Sequence, residues 1–139
     1  RTSTSSYGSG GARVILDFAA VGVGAACGAW LRWGLSAWLN PRVPQFPLGT
    51  LASNLVGGYL VGVAVAYFLL RTELPPQWRL FVVTGFLGGL TTFSTFSAEV
   101  TELLARGSYA QGVLVAFAHL AGSLVLTAAG FATVRSLAS

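Results

Sequence analysis

Three long stretches of this chain contain no charged residue, and each is long enough to cross a lipid bilayer as a helix. They cover residues 43–70, 80–98 and 107–134, which are 28, 19 and 28 residues long. A helix needs about 20 mainly apolar residues to cross the hydrocarbon layer of a membrane. Three such runs in a chain of 139 residues predict a membrane protein.

The composition indicates the same surroundings. Hydrophobic residues make up 54% of the chain and charged residues only 9%. An ordinary soluble domain has about 25% charged residues. The mean hydropathy is +0.71, so we interpret the chain as one membrane-embedded unit.

A fourth span is predicted near the start of the chain, although charges shorten its apolar part. Asp17 and Arg32 leave only residues 18–31 free of charge, which is too short for a span considered alone. Three neighbouring spans joined by short loops make a fourth the consistent interpretation. We predict an all-α membrane fold with spans at about residues 14–39, 48–70, 80–104 and 112–134.

Residues 1–12 differ from the rest because they are mainly Ser, Thr and Gly. Such a segment cannot bury apolar surface, so we expect a disordered tail before a single transmembrane domain at residues 13–139. The residues before Cys27 have only a faint likeness to a lipoprotein cleavage site, so we expect the first span to be retained. One cysteine also allows no disulfide within the chain.

The eight arginines are scattered rather than grouped. Nucleic-acid binding needs a basic stripe, so we expect no nucleic-acid partner. If both termini and the second loop share one side, that side has five arginines and the other has two or three. The positive-inside rule then gives no firm orientation, and insertion in one or in both directions stays open.

Glycines spaced four residues apart occur in three of the spans. Small residues at this spacing let helix backbones approach closely in lipid, so they predict a tightly packed bundle. The pairs are Gly24 with Gly28, Gly58 with Gly62, and Gly85 with Gly89.

Polar side chains inside the second and fourth spans are the candidates for function, because burying them in a membrane is costly. Thr50 and Asn54 lie one helical turn apart, and Asn54 either bonds a neighbouring helix or directs its NH2 group at an anion. His119, Ser123 and Thr127 form a polar stripe at a spacing of four residues. A single histidine is more often a hydrogen-bonded packing residue than a ligand.

The third span contains the most unusual segment, residues 85–97, with sequence GFLGGLTTFSTFS. Adjacent glycines followed by Thr, Phe and Ser make a poor continuous helix, so we predict a break. A break inside a membrane requires protein or a cavity around it, and its free carbonyls can hold a cation. Phe93 and Phe96 share a face, which is directed either at lipid or with its positive ring edges at an anion.

The acids do not suggest catalysis. Asp17, Glu99 and Glu102 lie near span ends, and no nucleophile, base and oriented partner occur together. We therefore predict that the chain is not an enzyme.

Three motifs together resemble the Fluc (CrcB) fluoride channels. They are Gly-x-x-x-Arg-Trp at residues 28–33, Gly-Thr-Leu-x-x-Asn-x-x-Gly at 49–57, and Gly-Gly-Leu-Thr-Thr-Phe-Ser-Thr-Phe-Ser at 88–97. The resemblance covers residues 21–133. Trp33 and His119 depart from it, since tyrosine is common at both positions in that family.

The resemblance implies a dual-topology homodimer of antiparallel copies, which exports cytoplasmic fluoride passively across the plasma membrane through two pores. It implies no organic cofactor, but a central structural sodium ion held by the backbone carbonyls of Gly88 and Thr91 at a break in the third helix. It also implies that Arg32 lies in a vestibule. The implied pore residues are Asn54, Phe93, Phe96, Ser123 and Thr127, with Thr50, Ser94, Thr95 and Glu99 as further contributors.

Two other functions stay open. A small multidrug-type transporter also forms a four-span dimer, but it needs a membrane-embedded carboxylate, and the first span has only Asp17 near its edge. A membrane scaffold without transport activity would explain the glycine pairs but not the polar stripes.

Overall fold

The computed structural model describes residues 8–139, which are helical throughout except for short connections and contain no strand. Four segments are long and apolar enough to cross a membrane: Gly10–Arg42, Leu48–Leu70, Pro76–Ala105 and Tyr109–Ala138. The predicted all-α fold with four spans is therefore confirmed.

The first two spans are regular helices. Helix α1 covers Gly8–Leu39 and runs into a 3₁₀ turn at Asn40–Arg42, and helix α2 covers Leu48–Leu70. Residues 8–12 are thus helical, in contrast to the predicted tail, while residues 1–7 lie outside the described part. Extending an existing helix adds one hydrogen bond for each residue that is ordered, whereas starting a new helix is costly. This explains how a Gly-rich segment joins α1.

The third span is built from several pieces. It consists of α3 (Pro76–Arg79), a π-helix (Leu80–Leu87), α4 (Gly88–Leu90) and α5 (Phe93–Ala105). Helix α6 (Tyr109–Ala138) is the fourth span.

Between α4 and α5 the backbone leaves the helical conformation. Thr91 has φ −87° and ψ 152°, and Thr92 has φ −150° and ψ 117°, so both residues are extended. The Thr92 hydroxyl then caps α5 by accepting a hydrogen bond from the Thr95 backbone N–H at 3.2 Å. We call Thr91 and Thr92 the junction.

Glycines bring α1 against the third span. Gly24 and Gly28 face the backbone of residues 81–90, and a Cβ at Gly28 would overlap the Phe86 carbonyl oxygen. From the other side, Gly85 and Gly89 face the backbone of α1. The predicted close packing of these two glycine pairs is confirmed.

The third glycine pair brings α2 against α6. A Cβ at Gly58 would lie 3.1 Å from the Ser123 carbonyl oxygen, and one at Gly62 would overlap the Thr127 carbonyl oxygen. Higher-numbered residues of α2 meet higher-numbered residues of α6, so the two helices run parallel, as the second and fourth of four alternating spans should.

We predict that replacing Gly28 by alanine destabilises the protein, while the same change at Gly34 does not. The Gly28 methyl group forces α1 away from the Phe86 backbone, at a cost of about 1–3 kcal/mol. A Cβ at Gly34, on the same helix, has nothing within 4 Å, and alanine favours helix. The free energy of unfolding, measured by titrating the purified protein with denaturing detergent, compares the two variants. Equal stability would contradict the close approach of these spans.

Candidate functional site

Asn54 on α2 holds the junction by both backbone groups of Thr92. The Thr92 N–H donates to Asn54 Oδ1 at 2.8 Å, and Asn54 Nδ2 donates to the Thr92 carbonyl at 3.0 Å. A peptide group that leaves a helix inside a membrane has no water to bond to, so it needs a partner from the protein. The amide of Asn54 supplies an acceptor for the N–H and a donor for the C=O of Thr92, which belong to two successive peptide groups.

The Asn54 NH2 group also faces α6, where its nitrogen, Nδ2, lies 3.0 Å from Nδ1 of His119. Both amide hydrogens therefore have acceptors within the chain. The sequence left open whether Asn54 bonds a neighbouring helix or directs its NH2 group at an anion. The structure contains the bonds to neighbouring helices. Donation by Asn54 to an anion stays a prediction, and it requires that one of these two bonds be exchanged.

A cavity of about 330 Å³ lies beside the junction, between α2, α5 and α6. Its wall contains five residues predicted from the sequence, together with five others. The lining residues are Asn54, Gly58, Thr91, Thr92, Phe93, Phe96, His119, Leu120, Ser123 and Leu124. Phe93 and Leu124 are 72% and 73% exposed, so one wall of this junction cavity lies at the surface of the chain.

The two phenylalanines on α5 have different surroundings. Their rings meet edge to face, with centroids 5.4 Å apart and planes at 65°. Phe96 is only 7% exposed, and its ring stacks on His119 with centroids 4.6 Å apart. Phe93 is free to meet a neighbour outside the chain, whereas Phe96 is fixed by contacts within it.

Several predicted polar residues bond to the backbone or to each other instead of lining the cavity. Thr127 donates to the Gly58 carbonyl at 3.0 Å. The hydroxyls of Ser94 and Thr95 lie 3.2 Å and 3.1 Å from the Thr92 hydroxyl. These groups stabilise the α2–α6 contact and the start of α5. Only Ser123, of the predicted hydroxyl residues on α5 and α6, lines the junction cavity.

Thr50 and Glu99 meet nearer the loops. The Thr50 hydroxyl, 2% exposed, donates to Glu99 Oε1 at 2.5 Å. Glu99 lines a second, more polar cavity of about 280 Å³ together with Glu102 and Arg106. Its other carboxylate oxygen, Oε2, is buried and has no hydrogen-bond partner among the protein atoms described. The structure thus separates this pair from the junction cavity.

Arg32 reaches from α1 to the third span. Its Nε atom donates to the Gly89 carbonyl at 3.1 Å, and the side chain is partly buried. Arg32 lines neither of the two cavities described above. Its vestibule role stays a prediction, and the observed contact is with the helical segment before the junction.

Of the predicted carbonyl ligands of sodium, Gly88 is the first residue of α4 and Thr91 directly follows this helix. A Cβ at Gly88 would lie no closer than 3.8 Å to any atom, so the chain leaves this position open. In the described residues no three His, Cys, Asp or Glu side chains come together as metal ligands. A cation near the junction would therefore rely on oxygens of the backbone, the donors that sodium accepts at broken helices.

Two features of the site were not predicted from the sequence. His119 was predicted to be a hydrogen-bonded packing residue, and it does pack on Phe96 and lie within hydrogen-bond distance of Asn54, but its place in the wall of the junction cavity was not predicted. The four-residue spacing to Ser123 was the available signal. Thr92 was part of the unusual segment, yet only the structure identifies its backbone N–H and C=O as the partners of Asn54.

Two known proteins that are similar to this chain over most of its length carry the same name. The chain is 60% identical over 120 residues to a fluoride-specific ion channel FluC of Thiobacillus denitrificans, covering 86% of this chain and 97% of that protein. It is 62% identical over 121 residues to the protein of that name from Ralstonia pickettii, covering 87% and 96%. These relatives are named as ion channels and not as enzymes, as the sequence predicted.

A family comparison covers nearly the whole membrane domain. Residues 19–131 match the family described as CrcB-like protein, Camphor Resistance (CrcB). The match includes the glycine contacts, the junction and the polar stripe of α6. The chain therefore belongs to the CrcB-like protein family.

Proposed function

We propose that this chain forms a fluoride-selective channel through which cytoplasmic fluoride leaves the cell passively. The observation that carries the proposal is the junction cavity, in which Asn54, Ser123 and two phenylalanine rings surround an extended backbone segment. Relatives about 60% identical and named as fluoride-specific channels support the same ion.

The lining suits a small, strongly hydrated anion. A pore must replace the water around such an ion with several donors that bind it weakly enough to release it. The junction cavity offers hydroxyl groups, an amide and phenyl edges, whose hydrogens carry partial positive charge. No arginine or acid of residues 8–139 lines it, so no fixed full charge from this part of the chain would trap or repel the ion. Because hydrogen fluoride enters cells as a neutral acid and dissociates there, a passive path suffices for export.

A second, antiparallel copy would complete this path. One wall of the junction cavity lies at the surface of the chain, where Phe93 and Leu124 are exposed. The nearly even arginine count on the two sides supports insertion in both directions. Thr91 and Thr92 lie near the middle of the span Pro76–Ala105, which supports a break at mid-membrane depth. The dimer would reside in the plasma membrane.

A central sodium ion would follow from this arrangement. Two copies meeting at their junctions would bring four carbonyls, those of Gly88 and Thr91 in each copy, to one point. A cation there would stabilise carbonyl dipoles that otherwise face each other in a dry interior. Its role would be structural, since the anion path of each copy lies on the side of Asn54.

We expect purified protein in liposomes to release fluoride rapidly and to retain chloride. A fluoride electrode and a chloride electrode measure the two fluxes on the same preparation. A small multidrug-type transporter would instead exchange an organic cation for protons. A membrane scaffold would release neither anion. Exchange of an organic cation for protons, or the lack of any fluoride release, would contradict the channel.

We expect isoleucine at Phe93 or at Phe96 to lower fluoride flux. Isoleucine keeps apolar volume but removes the ring edge, whose contacts contribute about 0.5–1.5 kcal/mol, so the flux should fall about 2-fold to 10-fold. The matched control is Phe117→Ile, because Phe117 is 69% exposed on α6 and lines neither described cavity. Unchanged flux in both α5 variants would contradict a role of the ring edges in conduction.

We expect Gly88→Val to impair dimer formation and fluoride flux while leaving the single chain folded. The chain has room for a Cβ at Gly88, so we expect the loss to come from the second copy or the cation. Gly22→Val is the control, since Gly22 has equal room but lies on α1, away from the junction. Cross-linking in lipid measures the dimer, and long incubation without sodium should reproduce the Gly88 defect. If both treatments leave dimer and flux unchanged, the central sodium is wrong even if fluoride is conducted.

A further inference from the structure

His119 is buried in the middle of α6, at 3% exposure, and it is the one histidine of the chain. Its ring contacts two elements of the site at once. Nδ1 lies 3.0 Å from the Asn54 amide nitrogen, and the ring face stacks on Phe96. The partners of Nδ1 and Nε2 determine which of the two nitrogens holds the proton of the neutral ring.

The tautomer of His119 follows from the position of Thr92. Because the Thr92 N–H donates to Asn54 Oδ1, the other end of the amide, the NH2 group, must be the one that faces His119. An NH2 group only donates, so Nδ1 must hold a free electron pair, and the proton of a neutral ring must sit on Nε2. Nε2 is buried and has no partner among the protein atoms described. The ring therefore uses Nδ1 as an acceptor, while its N–H group at Nε2 has no acceptor among the protein atoms described.

Protonation of the ring cannot be accommodated without moving Asn54. It would place an N–H on Nδ1 against the NH2 group of Asn54, which sets two donors 3.0 Å apart. Rotating the amide by half a turn does not help. It would set the amide oxygen against the Thr92 carbonyl and the NH2 group against the Thr92 N–H. Protonation thus separates Asn54 from His119 and loosens its hold on the junction.

The two cavities that His119 borders supply no charge that would compensate this proton. Asn54 lines the junction cavity, and Leu51 of α2 and Phe46 and Pro47 of the first loop line the smaller one, and none of them titrates. On α5, Glu99 follows Phe96 by one turn, but it lines a different cavity, where its Oε1 accepts from Thr50 and its Oε2 has no partner among the protein atoms described. His119 is the one titratable residue among those lining the junction cavity and the smaller cavity of about 20 Å³ that it also borders.

We propose that His119 is a positioning residue of the anion path, whose neutral ring holds the Asn54 amide on the junction, so that protonation lowers fluoride conductance. The proposal rests on the proposed function. A second effect acts in the same direction, because an imidazolium beside the path would bind a fluoride ion too tightly for rapid release. Acid conditions should therefore reduce the current through this channel.

Fluoride currents through the purified dimer in planar bilayers, recorded from about pH 8 to pH 5, test the proposal. Current is the suitable measure because neutral hydrogen fluoride carries none. Once the ring takes up its proton, we expect the wild-type current to fall reversibly by about 3-fold to 10-fold, as expected for the loss of one buried hydrogen bond. A wild-type current that stays constant over this range overturns the proposal. In His119→Gln the ratio of currents at the two pH values should be near one, because the side chain does not titrate.

Two further variants separate positioning from simple packing. Glutamine can accept from Asn54 through its carbonyl, whereas leucine cannot, so at pH 8 His119→Gln should conduct better than His119→Leu. Glu99→Gln should keep the acid response, because Glu99 lines the other cavity. An acid response that persists in His119→Gln, or disappears in Glu99→Gln, overturns the proposal.

A measurement without transport keeps the test independent of the channel function. Labelling histidine with ¹⁵N gives the signals of one imidazole, and nitrogen chemical shifts in lipid discs report its tautomer. We expect the proton on Nε2 at neutral pH. A proton on Nδ1 overturns the proposal even if fluoride is conducted, whereas a wild-type protein without current at any pH refutes the proposed function instead.

Discussion

The hydrogen bonds between Asn54 and the backbone N–H and C=O of Thr92 are the interaction on which the rest of the site depends. Thr92 is extended within a segment long and apolar enough to cross a membrane, and an unpaired backbone N–H or C=O group in hydrocarbon costs several kcal/mol. A side-chain amide can satisfy one backbone donor and one backbone acceptor together. Position 54 therefore needs an amide, and neither a carboxylate nor a hydroxyl can replace it fully.

The glycine contacts determine where this interaction takes place. Gly28 and Gly89 allow α1 to touch the third span, and Gly58 and Gly62 allow α2 to touch α6. Without them the helices would stand further apart, and Asn54 could not reach Thr92 and His119 together. In lipid, where hydrophobic burial does not draw helices together, this backbone contact supplies the packing that holds the polar groups in place.

Charged groups are kept away from the junction cavity. Arg32 bonds to the Gly89 carbonyl on the α1 side, and Glu99 bonds to Thr50 nearer the loops. The cavity wall itself contains neutral donors and aromatic rings. This separation matters for a conducting site, because a fixed charge in a medium of low dielectric constant would either hold an anion or exclude it.

The sequence by itself determined the four spans and the close glycine contacts, and it predicted that the third span would not continue as a regular helix. These are local properties, since they depend on apolar length, on the spacing of small residues and on the helix propensity of adjacent glycines and threonines. Only the tertiary structure decided that Asn54 pairs with Thr92 and His119, that Phe96 is buried while Phe93 is exposed, and that Thr127 bonds to the backbone. Which polar groups meet across helices depends on the rotation and register of each helix against its neighbours. That arrangement is set by packing over the whole bundle, and no single segment encodes it.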